Sequence, residues 1–197
     1  VRKILFLLFV LLFLQSCSFP NYYFERGNIE SGLHFKEGKW LLNTVDAPYE
    51  SRKKLTELAK KDFTEKLANR FSEAKNVKEF LVLPNVNLAK NPEELVRLYK
   101  TTGFNFLIDL KVKILKNEFD AVDMTNHNFK SQKSNMVAVE LYIYDLEKGM
   151  IIYNKKAIGS VMLQENSNDA NFTVPTEALI IGAYKKIMKD INRKSIM

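Results

Sequence analysis

The sequence predicts an α/β (α+β) fold: a mixed β-sheet in the order β-α-β-α-β-β-β-α, with helices packed on the sheet. Three observations carry this expectation. Leu55, Ala59, Phe63, Leu67 and Phe71 recur every four residues, the spacing of one helix face. In "FNFLIDLKVKIL" (104–115), apolar and polar residues alternate as in a half-buried strand. Two β-rich runs in "NMVAVELYIYDLEKGMIIYNKKAIGSVML" are joined by Asp145-Leu146-Glu147-Lys148-Gly149, an acid-to-glycine turn.

In chain order, "KWLLNTV" from Lys39 is a short apolar run between turn signals and predicts the first strand. Pro48 precedes a helix from about Tyr49 to Phe71, whose wet face carries Lys54, Glu57, Lys61, Glu65 and Asn69. "EFLVLPNV" (79–86) is continuously apolar and predicts a buried, central strand. The second helix has clear punctuation. Asn91 suits the N-cap, Pro92 the first helical position and Glu94 the third position of a capping box. Gly103 suits the left-handed residue at its end. The alternating strand follows, with Phe106, Ile108, Leu110, Val112 and Ile114 on one face, and then a polar loop at 116–134 and the hairpin. A second loop, 164–172, leads to a C-terminal helix near Pro175. Leu179, Ala183, Ile187 and Ile191 line one face of that helix, and Gly182 allows a close approach.

The amino-terminal end is of another kind. Arg2 and Lys3 precede Ile4 to Leu14, an unbroken apolar run of eleven residues. A spanning helix needs about 20 apolar residues, so the run is too short to be one. A basic start, a short apolar core and then small residues form the pattern of an export signal. Val1 is expected to mark an alternative start codon. After the leader, residues 17–38 sustain no period and are punctuated by Pro20, Gly27, Gly32 and Gly38, as in a tether. Within it, Tyr22-Tyr23-Phe24 is expected either at a lipid interface or packed on the domain.

Of the 197 residues, 46% are hydrophobic, enough for a substantial core without disulfides. The formal charge is +7, of which Arg2 and Lys3 contribute two, leaving +5 downstream. In an exported protein this excess does not point to nucleic acid. Lysines interleaved with acids, as in "TELAKKDFTEKLANRF", make a solvated surface.

Leu14-Gln15-Ser16-Cys17 resembles the lipobox of bacterial lipoproteins, with an aliphatic residue, a small residue and then the cysteine. The resemblance implies a signal peptide at 1–16, cleavage before Cys17 and acylation of Cys17 (palmitate among the chains). It also implies a lipid-anchored tether at 17–38 and a single domain at 39–197. Ser18, a non-aspartate after the cysteine, implies the outer membrane, facing the periplasm. From Lys39 to about Arg193 the order of elements is similar to an α/β domain of several envelope families. These are the curli-secretion lipoproteins, the lipoprotein activators of penicillin-binding proteins and the amino-terminal domain of the Tol-system periplasmic protein. The features in common are a strand ending in "VLP", "TGFNFLIDLKVKI" and the "LYIYDLEKGMIIYNKKAIGS" hairpin.

Candidate chemistry is sparse. His34 and His127 are the only histidines. Glu118, Asp120, Asp123 and His127 lie in one loop, but neither the EF-hand glycine nor an HExxH spacing is present, so a solvated acidic loop is expected. No GxSxG, CxxC or GxxxxGK motif occurs. Asp109 and Asp145 are accounted for by strand-face and turn roles, and the Asn171-Phe172-Thr173 sequon carries no meaning in a bacterial protein. No catalytic, metal or cofactor residue is therefore expected. The expected partners are a lipid bilayer, through acylated Cys17, and another envelope protein, with no nucleic acid. The expected function is a non-enzymatic periplasmic adaptor or an assembly or secretion factor. The alternative is a binding protein for a small or glycan ligand, held between the loops at 116–134 and 164–172.

Overall fold

A computed structural model of the chain describes residues 19–26, 33–77, 88, 91–117, 134–162 and 174–195. The elements are β1 (Asn21–Phe24), β2 (Trp40–Leu42), α1 (Tyr49–Leu67), β3 (Phe71–Glu73), α2 (Pro92–Thr102), β4 (Phe106–Asn117), β5 (Ser134–Asp145), β6 (Met150–Met162) and α3 (Thr176–Lys194). They build one six-stranded mixed sheet in the order β1-β6-β5-β4-β2-β3, with helices on both faces. The fold class expected from the sequence is the one observed.

The long antiparallel strands β4, β5 and β6 form the centre, and β2 joins β4 in parallel, as does β3 to β2. Alternation sorts their side chains. Trp40, Ile108, Leu110, Val139, Leu141, Ile143, Tyr153 and Ala157 face α1 and α3 in the larger core. Leu41, Leu107 and Tyr144 face the opposite way, into a smaller core under α2 with Leu95 and Leu98. Tyr184 of α3 donates from its hydroxyl to Asp62 of α1 over 2.9 Å, joining the two helices of the larger layer.

The punctuation of α2 forms largely as its residues dictate. Asn91 Oδ1 accepts from the Glu94 N–H at 3.2 Å, Pro92 opens the helix, and Gly103 closes it at φ 68° with its N–H donating to the Tyr99 carbonyl. The capping box is only half made. The buried Glu94 carboxylate takes the Arg97 guanidinium, which holds Glu94 below the ordinary carboxylate range, and the Asn91 N–H donates to Leu88 instead. In the hairpin, Asp145 Oδ1 accepts from the Lys148 N–H at 2.9 Å and Gly149 adopts φ 64°. A Cβ at Gly149 would lie 2.9 Å from the Pro92 carbonyl oxygen, so the hairpin turn rests on the first turn of α2.

Two expectations are corrected. The first helix stops at Leu67, not Phe71: Ala68 takes φ 51°, a short 3-10 turn covers Ala68–Arg70, and Phe71 begins β3. A spacing of four from Leu67 to Phe71 fits a helix as well as a turn followed by a strand, and no Gly or Pro marks the stop. The second correction concerns the tether at 17–38, two parts of which belong to the folded unit. Leu33 and Phe35 are buried, with Phe35 against Trp40 at 5.0 Å between ring centroids. Asn21–Phe24 pairs antiparallel with β6 as an edge strand. The strand expected at 79–86 lies outside the described residues.

Edge strand β1 is keyed into the sheet by its aromatic side chains. The Tyr22 ring lies over two positions without side chains. A Cβ at Gly182 of α3 would overlap the Tyr22 ring and hydroxyl, and one at Gly159 of β6 would lie 3.0 Å from ring carbon Cε1. The Tyr22 hydroxyl is also 3.5 Å from the Ala178 carbonyl. Two residues on, the ammonium groups of Lys155 and Lys186 approach the Phe24 ring, at 4.9 and 5.1 Å from its centroid. Tyr23, between them, faces outward. The slot predicts a reversal of sign. Gly182→Ala should destabilise the wild type by about 1–3 kcal/mol through overpacking. In a Tyr22→Ala background the same change should stabilise by about 0.5–1 kcal/mol, the helix-propensity gain of Ala over Gly. Urea unfolding of the four proteins reads both values.

Candidate functional site

The face of the sheet turned away from α1 and α3 carries the buried carboxylates Asp109 and Glu140. Register builds it in rows. Lys111 of β4 stands opposite Glu140 of β5, which stands opposite Lys156 of β6. Lys156 in turn reaches Glu25, just after β1, at 2.8 Å, so four segments contribute charges of alternating sign. Glu140 also lies 3.5 Å from Lys156 and 3.8 Å from Lys113, and it accepts from the Tyr142 hydroxyl at 3.2 Å. The hydrogen bond with Glu25, then the nearby Glu140 charge, hold Lys156 above its ordinary value against the opposing effect of burial.

The adjacent row is Asp109, Tyr142 and Asn154. Asp109 is 1% exposed. Its Oδ1 accepts from Asn43 at 2.8 Å, and its Oδ2 is 3.1 Å from Lys111 Nζ without a hydrogen bond in line. Asn154 Oδ1 is likewise buried with no hydrogen-bond partner among the described residues. Tyr142 stacks on Tyr144 at 5.9 Å and lies under the Lys111 ammonium. Burial, aided by the charge of Glu140, pushes the Tyr142 phenol up to about 12, and burial raises Tyr144 further. Both phenols stay protonated at neutral pH, and Tyr142 donates to Glu140.

On the opposite face, Asp190 of α3 is buried and gathers Tyr153, Arg193 and Lys194 at 3.3, 2.9 and 3.2 Å, with Lys155 at 3.9 Å. Burial pushes the Lys155 ammonium below its ordinary value, with Asp190 opposing. The cluster ties β6 to the last turns of α3, where cations also meet the helix dipole favourably.

Asp109 and Asp145 do not converge. Asp109 pairs with Tyr142 and Asp145 with Phe106, so they stand three rows apart and on opposite faces, Asp145 serving the hairpin turn. His34 is exposed. Cys17, Glu118, Asp120, Asp123, His127 and the sequon lie outside the described residues, as do almost all of the two loops proposed to hold a ligand. Among the described residues no group of three or more His, Cys, Asp or Glu is placed to hold a metal ion, and no helix is long and apolar enough to cross a membrane. A further surface was not foreseen: the outer side of α2 forms a groove lined by Pro92, Glu93, Val96, Arg97 and Lys100. Its signal in the sequence was Pro92 and Val96 on the face of α2 away from Leu95 and Leu98.

No family model and no curated protein matches the chain. Among solved structures it is similar to the PelC dodecamer from Paraburkholderia phytofirmans, with a TM-score of 0.46 and 8% identity over 91% of this chain and 100% of that one. It is also similar to the lipoprotein GNA1162 from Neisseria meningitidis, at 0.45 and 10% over 78% and 99%. The hypothetical protein CT253 from Chlamydia trachomatis gives 0.39 and 11% over 80% and 95%. At such identities no residue's role carries across.

The charged rows make Glu140 the common acceptor of two lysines and a phenol. Glu140→Ala should cost about 1–3 kcal/mol, because the groups left behind lose a charged partner beneath partial cover. Replacing the pair by Glu140→Leu with Lys156→Met should restore most of that loss, which paired urea titrations would show.

Proposed function

We propose that the chain is a membrane-anchored bacterial envelope lipoprotein that acts without chemistry of its own, as an adaptor or an assembly or secretion factor. The observation that carries this reading is the distance between anchor and fold. Strand β1 begins at Asn21, four residues after the lipobox cysteine, and is locked to β6 and α3 by Tyr22 and Phe24. Acyl chains on Cys17 would hold the whole sheet, with each buried CH₂ contributing about 0.8 kcal/mol. The outer membrane, with the domain in the periplasm, is the compartment that Ser18 favours.

Contact rather than catalysis is supported by how the ionisable groups are spent. Asp109, Glu140, Asp145 and Asp190 each neutralise neighbouring lysines or arginines within the sheet and its helix. The groove of α2, with apolar Pro92 and Val96 beside charged Glu93, Arg97 and Lys100, is the surface offered to a protein partner.

Two measurements test this. Cells expressing the wild type should incorporate radiolabelled palmitate into the protein and carry it in the membrane fraction. Cys17→Ala should lose the label and accumulate as the longer, uncleaved chain. A photo-crosslinking residue at Val96 should trap one envelope protein, whereas the same residue at exposed Lys189 of α3 should not. Processing of Cys17→Ala as in the wild type would end the lipoprotein reading, and identical crosslinks at both positions would end the adaptor reading.

A further inference from the structure

The exposed large apolar side chains of the domain are not scattered. Phe19 is 83% exposed, Tyr49 88%, Met162 59%, Leu115 47% and Ile114 43%. Strand register puts them together. Met162 ends β6 where Ser134 begins β5, and Asn117 ends β4 against Asn135 of the same strand. Asn21 begins β1 against Ser160, which sets Phe19 beyond that same end. Asp46 bridges to Lys111, and its carbonyl accepts from the Val112 N–H, so Tyr49 three residues later opens α1 there too. Leu115 lies in the irregularity between Ile114 and Lys116, where one residue goes unpaired and both neighbouring apolar side chains reach solvent. Met150 alone among the exposed large apolar side chains described lies at the opposite, hairpin end.

This is also the end from which the chain leads back to the lipobox. The four residues from Cys17 to Asn21 span at most about 14 Å when fully extended. If Cys17 is acylated at the bilayer surface, Asn21 stands within about 14 Å of it, roughly twice the thickness of a headgroup layer. Aromatic side chains partition well to that layer. Ile114 and Leu115 are flanked by Lys113 and Lys116, which match anionic headgroups at about 1 kcal/mol for each lysine close to the surface.

We propose that this end of the sheet is a membrane-seating surface: Phe19, Tyr49, Ile114, Leu115 and Met162 rest in the headgroup layer of an anionic bilayer. The strands then rise from the membrane, and the hairpin and the α2 groove face away from it. Ile114 pairs with Val137 and Met150 with Asp145, eight residues apart along β5, so the two ends are separated by about 27 Å. The inference rests on acylation of Cys17, and adds that the domain is oriented and does not swing on its lipid.

The test uses the full-length lipidated protein reconstituted into vesicles of phosphatidylethanolamine and phosphatidylglycerol. An environment-sensitive fluorophore is attached at Leu115→Cys in one preparation and at Met150→Cys in another, with headgroup-level spin-labelled lipid as quencher. Fluorescence should be lost at position 115 and retained at position 150. The Ile114→Ser change should reduce quenching of a fluorophore at Met162→Cys while the protein still floats with the vesicles. Equal quenching at 115 and 150 in protein that floats overturns the seating surface and leaves the anchor standing. A shielded but unquenched label at 115, with a doubled mass in detergent, overturns it in favour of a second copy. Protein that does not float overturns the anchor and this inference with it.

Discussion

The placement of Tyr22 between Gly159 and Gly182 is the contact on which the attachment of β1 to the sheet depends. Without it, β1 would be four residues of edge strand held by main-chain hydrogen bonds, Phe24 and the Glu25–Lys156 pair, a weaker attachment for the segment that follows Cys17. With it, the ring fills a space that any side chain at either glycine would occupy. The segment behind Cys17 thus becomes part of a sheet whose centre is three strands of 12 or 13 residues. Phe24 adds a second grip through two lysine ammonium groups, one of them the buried Lys155 that also joins the Asp190 cluster. Any pull on the amino terminus is therefore shared by β6 and α3.

The central sheet has two faces with different needs. Towards α1 and α3 it is apolar and packed, and burial there stabilises at about 25 cal/mol per Å² of apolar surface. On the other face, α2 covers only one end. The remainder is occupied by rows of charge in which Glu140 meets Lys113 and Lys156 of the strands on either side and Asp109 meets Lys111 of its own strand. Such rows contribute little net stability where they are wet, but they penalise any shift in register, because a slip of one residue would set Glu140 opposite an apolar residue of β4 in place of Lys111. The polar face is thus explained by strand alignment as readily as by ligand recognition.

Much of this was legible in the sequence wherever a residue has one physical use. Asn91, Pro92, Glu94 and Gly103 framed α2 because caps demand those residue types, and Asp145 with Gly149 marked the hairpin for the same reason. Gly182 announced a close approach, though nothing in the sequence named Tyr22 as the neighbour. The end of α1 was illegible, because Ala68 takes a left-handed conformation that its residue type does not advertise. Leu33, Phe35 and the strand at Asn21–Phe24 were missed for a related reason. Single apolar residues among glycines show no period, and only the tertiary structure reveals that Phe35 completes a ring cluster with Trp40 and Phe63. Of the two expectations for Tyr22-Tyr23-Phe24, packing on the domain describes Tyr22 and Phe24. Tyr23 faces out.

The central claim is that Cys17 is the first residue of the mature protein and carries lipid. Mass spectrometry of the amino-terminal peptide released from membrane-extracted protein tests it most directly. The expected peptide begins at Cys17 and carries a diacylglycerol thioether with an acylated amino group. A peptide that retains residues from 1–16, or one beginning elsewhere with an unmodified Cys17, would contradict it.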